Sequence, residues 1–122
     1  MTVLPTDFRP HHPYVLGTEP TGSGWVLHLR ITEDLAYLEG HFTYAPIVAG
    51  VCQLKWVIDY IEMYTGKPLV IQAMDEVKFH RPLLPPQTFA IDLSYDALTT
   101  TWQYRVYAAD QQFASGRLIV QP

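Results

Sequence analysis

Two hydrophobic periods divide the chain into strand-like and helix-like segments. Between residues 25 and 31 apolar and polar residues alternate, which predicts a half-buried β-strand. From Ile47 to about Tyr64 the apolar residues step by three and four, which predicts a buried helix about 27 Å long. Its predicted apolar stripe consists of Ile47, Val51, Leu54, Ile58 and Ile61. Gly66 and Pro68 follow the stripe and are typical of a helix end.

The other apolar segments have the character of strands. They comprise residues 14–16, 69–79, 88–98, 102–108 and 113–120. One long helix among about five or six mostly antiparallel strands is an α+β layout. Because no repeat, low-complexity tract or linker interrupts residues 1–122, we expect a single domain.

Composition narrows the classes of function. With 48% apolar and only 16% charged residues, the chain is poor in charge for a soluble monomer, so we expect a subunit interface to cover apolar surface. The net charge of -4 argues against a nucleic-acid partner. Cys52 has no second cysteine to pair with, and no long apolar run or basic leader indicates a membrane span or signal peptide. We therefore expect a cytoplasmic protein.

The segment before the helix carries the candidate chemistry. Its sequence runs Gly40-His41-Phe42, then Pro46-Ile47, then Gly50-Val51 at the head of the apolar helix. This places an imidazole beside the positive end of a helix dipole, a layout suited to moving a proton next to a developing oxyanion. The pair His11-His12 lies in a proline-rich lead-in with no ligand partners at metal-like spacing, so we expect no metal and no cofactor.

These motifs resemble the 3-hydroxyacyl-[acyl-carrier-protein] dehydratases of the hotdog fold. Further similarity lies in residues 78–85 and in Ser115-Gly116-Arg117, so that the resemblance spans roughly residues 12 to 120. Residues 51–56 are closest to the branch associated with aryl polyene biosynthesis. The resemblance implies a hotdog fold, in which one long central helix is wrapped by an antiparallel sheet.

The resemblance also implies a reaction, the dehydration of a 3-hydroxyacyl thioester to a trans-2-enoyl thioester in fatty-acid or polyene-type biosynthesis. In it, His41 removes the C2 proton and a backbone N–H at Gly50 or its neighbour holds the thioester oxygen. A carboxylic acid from the partner subunit protonates the departing hydroxyl. The substrate is carried by an acyl carrier protein, and the site is shared between two chains.

Two sets of side chains are candidates for substrate and carrier contacts. The substrate-binding candidates are Phe42, Pro46, Val48, Val51 and Phe79. Because acyl carrier proteins are acidic, the docking candidates are the cations Lys78, Arg81 and Arg117. The alternative interpretations are ordinary core residues for the first set and solvated strand-edge charges for the second.

Lys55 is the main departure from the family pattern, because the family has Glu or Asp at this position. An ammonium is a poor acid at neutral pH, although burial would lower its pKa. Asp59, one turn on, and Glu62, two turns on, are possible ion-pair partners that would keep it charged. A lysine at the helix edge that reaches water, with no chemical role, is the remaining alternative.

Three hypotheses follow from this departure. The first is a dehydratase with His41 as base, Gly50 as oxyanion donor, and a proton donated by Lys55 or another group. The second is a catalytically impaired hotdog subunit that acts in a heterodimer with an acid-bearing paralogue. The third is an acyl thioesterase, which is least favoured because hotdog thioesterases generally rely on a carboxylate.

Overall fold

A computed structural model describes residues 12–32, 50–84 and 86–122. The elements are β1 (Tyr14–Pro20), β2 (Gly24–Ile31), α1 (Gly50–Thr65), β3 (Ile71–Phe79), β4 (Gln87–Asp96), β5 (Thr101–Ala108) and β6 (Gln111–Val120). The strands form one antiparallel sheet in the order β1-β2-β4-β5-β6-β3. The expected α+β layout, with one helix and about six strands, is confirmed. Among the residues described, no helix has the length and apolar character needed to cross a membrane.

The core lies between α1 and one face of the sheet. The helix buries Trp56, Val57, Tyr60 and Ile61 almost completely. The predicted stripe was wrong in its centre, because Leu54 and Ile58 are only partly buried at the margin of the core. The two aromatic side chains explain the difference: they reach furthest into the core and bury the most apolar area, so they take the central positions.

The helix ends as the sequence predicts. Gly66 has φ of 71°, a left-handed conformation that costs glycine little, and its N–H donates to the carbonyl of Glu62 at 2.9 Å. The Glu62 carboxylate accepts a hydrogen bond from the N–H of Leu69 at 2.8 Å. Glu62 therefore stabilises the segment between α1 and β3 through both its carbonyl and its carboxylate.

β3 is the strand at one end of the sheet, and it is mostly exposed. Seven of its nine residues are exposed, and its ladder with β6 shifts register between Asp75 and Lys78. Met74 and Phe79 are exposed although they lie opposite buried residues of β6, so both lie on the face of the sheet that carries the core. An edge strand with apolar side chains beside it is a surface that proteins usually cover.

Candidate active site

The predicted oxyanion donor lies at a helix start. Gly50 is the first residue of α1 and Val51 the second. The first N–H groups of a helix have no acceptor within the helix, and they point toward the positive end of its dipole. Their roles toward a substrate stay predictions. Four other predicted residues lie outside the described residues: His41, Phe42, Pro46 and Val48.

Lys55 forms an ion pair with Asp59, one helical turn further on. Its Nζ donates to Asp59 Oδ1 at 2.9 Å and to Oδ2 at 3.0 Å. The Lys55 side chain is 58% exposed and that of Asp59 19% exposed. Of the two partners considered from the sequence, the structure gives Asp59, since Glu62 is engaged with Leu69.

A second basic side chain reaches the same carboxylate. His12 Nε2 lies 2.8 Å from Asp59 Oδ2, and its ring meets the ring of Tyr60 edge-on with centroids 5.9 Å apart. The hydroxyl of Tyr60 donates to the carbonyl of Pro13 at 3.3 Å. These contacts hold the segment before β1 against the middle of α1.

The sequence interpretation missed this role of His12, which it placed in a proline-rich lead-in with no ligand partners at metal-like spacing. The two residues are 47 positions apart, so no local spacing relates them. In the sequence, the one hint of a long-range contact was Asp59, an acidic residue next to Tyr60 on α1. Tyr60 is buried, so a basic side chain from elsewhere in the fold could reach Asp59.

The electrostatics favour an ionised Asp59. Partial burial raises the pKa of its carboxyl, but hydrogen bonds from His12 and Lys55, together with their positive charge, outweigh burial and lower the pKa below the usual value. Burial also raises the pKa of Tyr60 well above its usual range, so the phenol stays protonated. At neutral pH Asp59 is therefore an acceptor for two basic groups and a poor proton donor.

The remaining predicted residues lie at the end of the sheet. Phe79 is the last residue of β3 and is 56% exposed. Lys78 and Arg117 line a cleft of about 320 Å³. Lys78 is opposite Ser115 in the ladder, and the neighbours of Ser115 on β6 are buried, so the cleft lies on the sheet face away from α1.

The charge of this cleft is mixed. Arg117 lies 3.8 Å from Asp75, and Glu76 and Asp92 also line or border the cleft. Arg81 follows β3 and is exposed. The structure therefore brings Lys78 and Arg117 to one cleft, but Arg117 also faces the acidic Asp75.

Within the described ranges, no group of three or more histidine, cysteine or acidic side chains is arranged to hold a metal ion. Burial raises the pKa of the Cys52 thiol on α1, which makes it a poor nucleophile.

Comparison with known proteins decides the family. The sequence model of the ApeI dehydratases matches residues 18–117. The chain belongs to the ApeI dehydratase family. This assignment supports a dehydratase role, and it confirms the resemblance to the aryl-polyene-type branch.

Two solved structures place this ApeI-family chain in the hotdog fold. One is the dehydratase heterocomplex ApeI:P from Xenorhabdus doucetiae, with a TM-score of 0.82 at 24% identity, covering 91% of this chain and 99% of that one. The other is an uncharacterized protein from Erwinia carotovora subsp. atroseptica, with a TM-score of 0.73 at 28% identity, covering 91% and 97%. A comparison with curated protein sequences gives no significant match.

Proposed function

We propose that this ApeI-family chain removes water from a 3-hydroxyacyl thioester on an acyl carrier protein and yields the trans-2-enoyl thioester. The observation that carries the proposal is the family match over residues 18–117. That range contains all of α1, the Gly40-His41-Phe42 motif before it, and the strands β2 to β5.

In the proposed reaction, His41 takes the proton from C2 and the thioester oxygen gains negative charge. A neutral imidazole suits this step because it titrates near neutral pH. The N–H of Gly50, at the positive end of α1, stabilises the oxyanion. The electrons from C2 then form the C2=C3 double bond as the C3–O bond breaks, and the departing oxygen takes a proton from Lys55 or another acidic group of the site, so that water leaves.

We infer that the site is completed by a second hotdog chain that packs against β3. The exposed edge, with Met74 and Phe79 beside it, supports this assembly because it offers both backbone hydrogen-bonding groups and apolar surface. Phe79 would then lie at the seam and contact the acyl chain. The related Xenorhabdus doucetiae protein is itself described as a heterocomplex.

The Lys55–Asp59 pair favours a second candidate, an impaired subunit of a heterodimer. The contacts of Asp59 lower the pKa of its carboxyl, and Lys55 carries no carboxyl group, so neither offers a neutral carboxylic acid. In a mixed dimer, His41 of this chain and a carboxylic acid of an acid-bearing paralogue would form one competent site. The reciprocal site, which contains Lys55, would be silent.

Lys78 and Arg81 are the better supported of the predicted carrier-docking cations. Both are exposed near the end of β3, whereas Arg117 is half-buried and shared with Asp75. We propose that they attract the acidic carrier protein to the same end of the sheet as Phe79.

The direct test is to incubate the purified protein with a 3-hydroxyacyl carrier protein and follow loss of water by mass spectrometry. We expect the enoyl product from the wild type and none from His41→Ala. His28→Ala is the matched control, since His28 lies exposed on β2 beside Glu19, and it should retain activity.

The same assay separates the two candidates. A dehydratase competent by itself forms product alone, whereas an impaired subunit forms product only when mixed with an acid-bearing paralogue. In the second case Lys55→Glu should restore activity to the chain alone. Absence of product from the chain alone, from the mixture and from Lys55→Glu contradicts the proposed function.

A further inference from the structure

The cleft on the sheet face away from α1 takes no part in the proposed dehydration. We propose that this cleft binds a small hydroxylated phosphate ester, whose phosphate lies above Ser115 and is held by Arg105 and Arg117. The inference goes beyond the dehydratase function, because α1, whose start would hold the thioester, packs against the opposite face of the sheet.

The strand register gathers three cations around one serine. Ser115 on β6 lies opposite Arg105 of β5 on one side and opposite Lys78 of β3 on the other. Arg117 is two positions further along β6, so its side chain points to the same face as Ser115. Because neighbouring strands are about 4.8 Å apart, a phosphate above Ser115 is within reach of all three cationic side chains.

Both guanidinium groups retain donors that no described residue uses. Arg105 Nη2 lies 3.8 Å from Asp92 Oδ2, and this distance is too long for a hydrogen bond. Arg117 Nη1 lies equally far from Asp75 Oδ2, at 3.8 Å. The Nε of Arg117 is buried and has no hydrogen-bond partner among the described residues. A buried donor without an acceptor is costly, so a ligand oxygen that accepts from Nε would stabilise this side chain.

The wall of the cleft adds a further donor. The ladder between β3 and β6 shifts register beside Gly116, and this bulge lets Tyr104, a residue of the core face, border the cleft. Tyr104 is 3% exposed, and its buried hydroxyl has no hydrogen-bond partner within the described ranges. Burial raises the pKa of Tyr104, so the hydroxyl keeps its proton and is available as a donor.

The chemistry of the lining favours a phosphate over a carboxylate. Guanidinium, ammonium and phenol groups are donors, and a phosphate monoester offers them three terminal oxygens where a carboxylate offers two. The volume of about 320 Å³ exceeds that of a phosphate group and leaves room for an organic part. The rest of the lining supplies acceptors, which suit a ligand with hydroxyl groups: Glu76, Asp92, Ser94 and Gln103.

NMR titration of the purified protein with glucose 6-phosphate as the probe tests the proposal. We expect saturable shifts of the Arg117 Nε–H resonance and of the amide resonances of residues 115–117. Inorganic phosphate should bind more weakly, because it lacks the hydroxylated part, and glucose should give no saturable shift. Shifts confined to residues outside the cleft, or none at all, would overturn the proposal.

A pair of charge variants tests which cation holds the phosphate. Arg105→Gln should raise the dissociation constant for glucose 6-phosphate about tenfold, since a charge-assisted contact is lost. Arg30→Gln is the matched control and should leave the constant unchanged. Arg30 is also exposed and lies on the same sheet face, but it belongs to β2 and does not line the cleft. Equal weakening by both substitutions would reveal only general attraction by positive charge and would refute a built site.

Tyr104→Phe separates binding from folding, and it decides the matter if Arg105→Gln is unfolded. The substitution removes a hydroxyl that has no partner among the described residues, so the melting temperature should stay the same or rise. The dissociation constant for glucose 6-phosphate should rise about fivefold. A Tyr104→Phe variant with wild-type affinity would exclude the phenol from the site. None of these outcomes bears on the dehydratase function, which has its own assay.

Discussion

Replacing Asp59 by Asn is expected to destabilise the fold by about 1–2 kcal/mol at neutral pH, and the loss should have a defined pH dependence. The substitution keeps the shape of the side chain and removes its negative charge. It tests whether one carboxylate both holds His12 against α1 and pairs with Lys55 on the same helix.

The magnitude follows from the two contacts. The contact with His12 at 2.8 Å is largely shielded from water on the aspartate side, where hydrogen bonds to charged groups contribute about 1.5–3 kcal/mol. The contact with Lys55 joins an exposed ammonium at i,i+4 spacing, worth about 0.3–0.5 kcal/mol. Because the Asn amide still hydrogen-bonds with one of the two partners, only part of this sum is lost.

The pH dependence has a definite sign. The pKa of Asp59 is lower in the folded protein than in the unfolded chain, so the ionised form stabilises the fold. This contribution is present above the unfolded pKa, about 4, and is lost as the pH falls through the lower folded pKa. The difference in unfolding free energy between wild type and Asp59→Asn should therefore shrink on acidification below about pH 4.

Urea unfolding followed by circular dichroism measures this difference, at a fixed protomer concentration because association also stabilises the fold. Asp92→Asn is the matched control: Asp92 also faces a cation, Arg105, but at 3.8 Å on the sheet surface. Asp92→Asn should lower the free energy of unfolding by less than about 0.5 kcal/mol. An Asp59→Asn variant as stable as wild type at neutral pH, or a difference that grows on acidification, would refute the reasoning.

Three further predictions address packing, assembly and docking. Gly116→Ala should destabilise the fold by about 1–3 kcal/mol in the same urea assay, because a Cβ there would lie 2.7 Å from ring atoms of buried Tyr104; unchanged stability would show that the ring moves aside. Phe79→Asp should reduce the molecular mass in analytical ultracentrifugation, whereas Leu98→Asp, in the exposed turn between β4 and β5, should not; equal masses would exclude β3 from the interface. Lys78→Glu should raise KM for a carrier-bound substrate and leave KM for a free pantetheine thioester unchanged; an equal change for both would argue against docking at Lys78.

Much of the fold was predictable because its elements follow simple periods. Alternation revealed the strands, and steps of three and four revealed α1 together with its end at Gly66. The centre of the buried stripe was misplaced because the prediction counted aliphatic residues and left out Trp56 and Tyr60, whose size decides which helix face is buried. The bulge at Glu76, with φ of 53°, has no signal in the sequence around it.

The candidate site was also predictable only in part. Helical spacing left two possible ion-pair partners for Lys55 on α1, Asp59 and Glu62. In the structure Lys55 pairs with the nearer one, Asp59. The contact of His12 with Asp59 depends on how β1 and the segment before it lie against α1. Only the assembled fold brings these distant residues together.

Isotope labelling in the reverse direction tests the dehydratase claim most directly. The protein, alone and mixed with an acid-bearing paralogue, is incubated with a 2-enoyl carrier protein in deuterated water enriched in oxygen-18, and the thioester is analysed by mass spectrometry. Reversible dehydration predicts deuterium at C2 and oxygen-18 at C3 of the same acyl chain. An unlabelled thioester in both incubations, or oxygen-18 only in a released free acid, would contradict it.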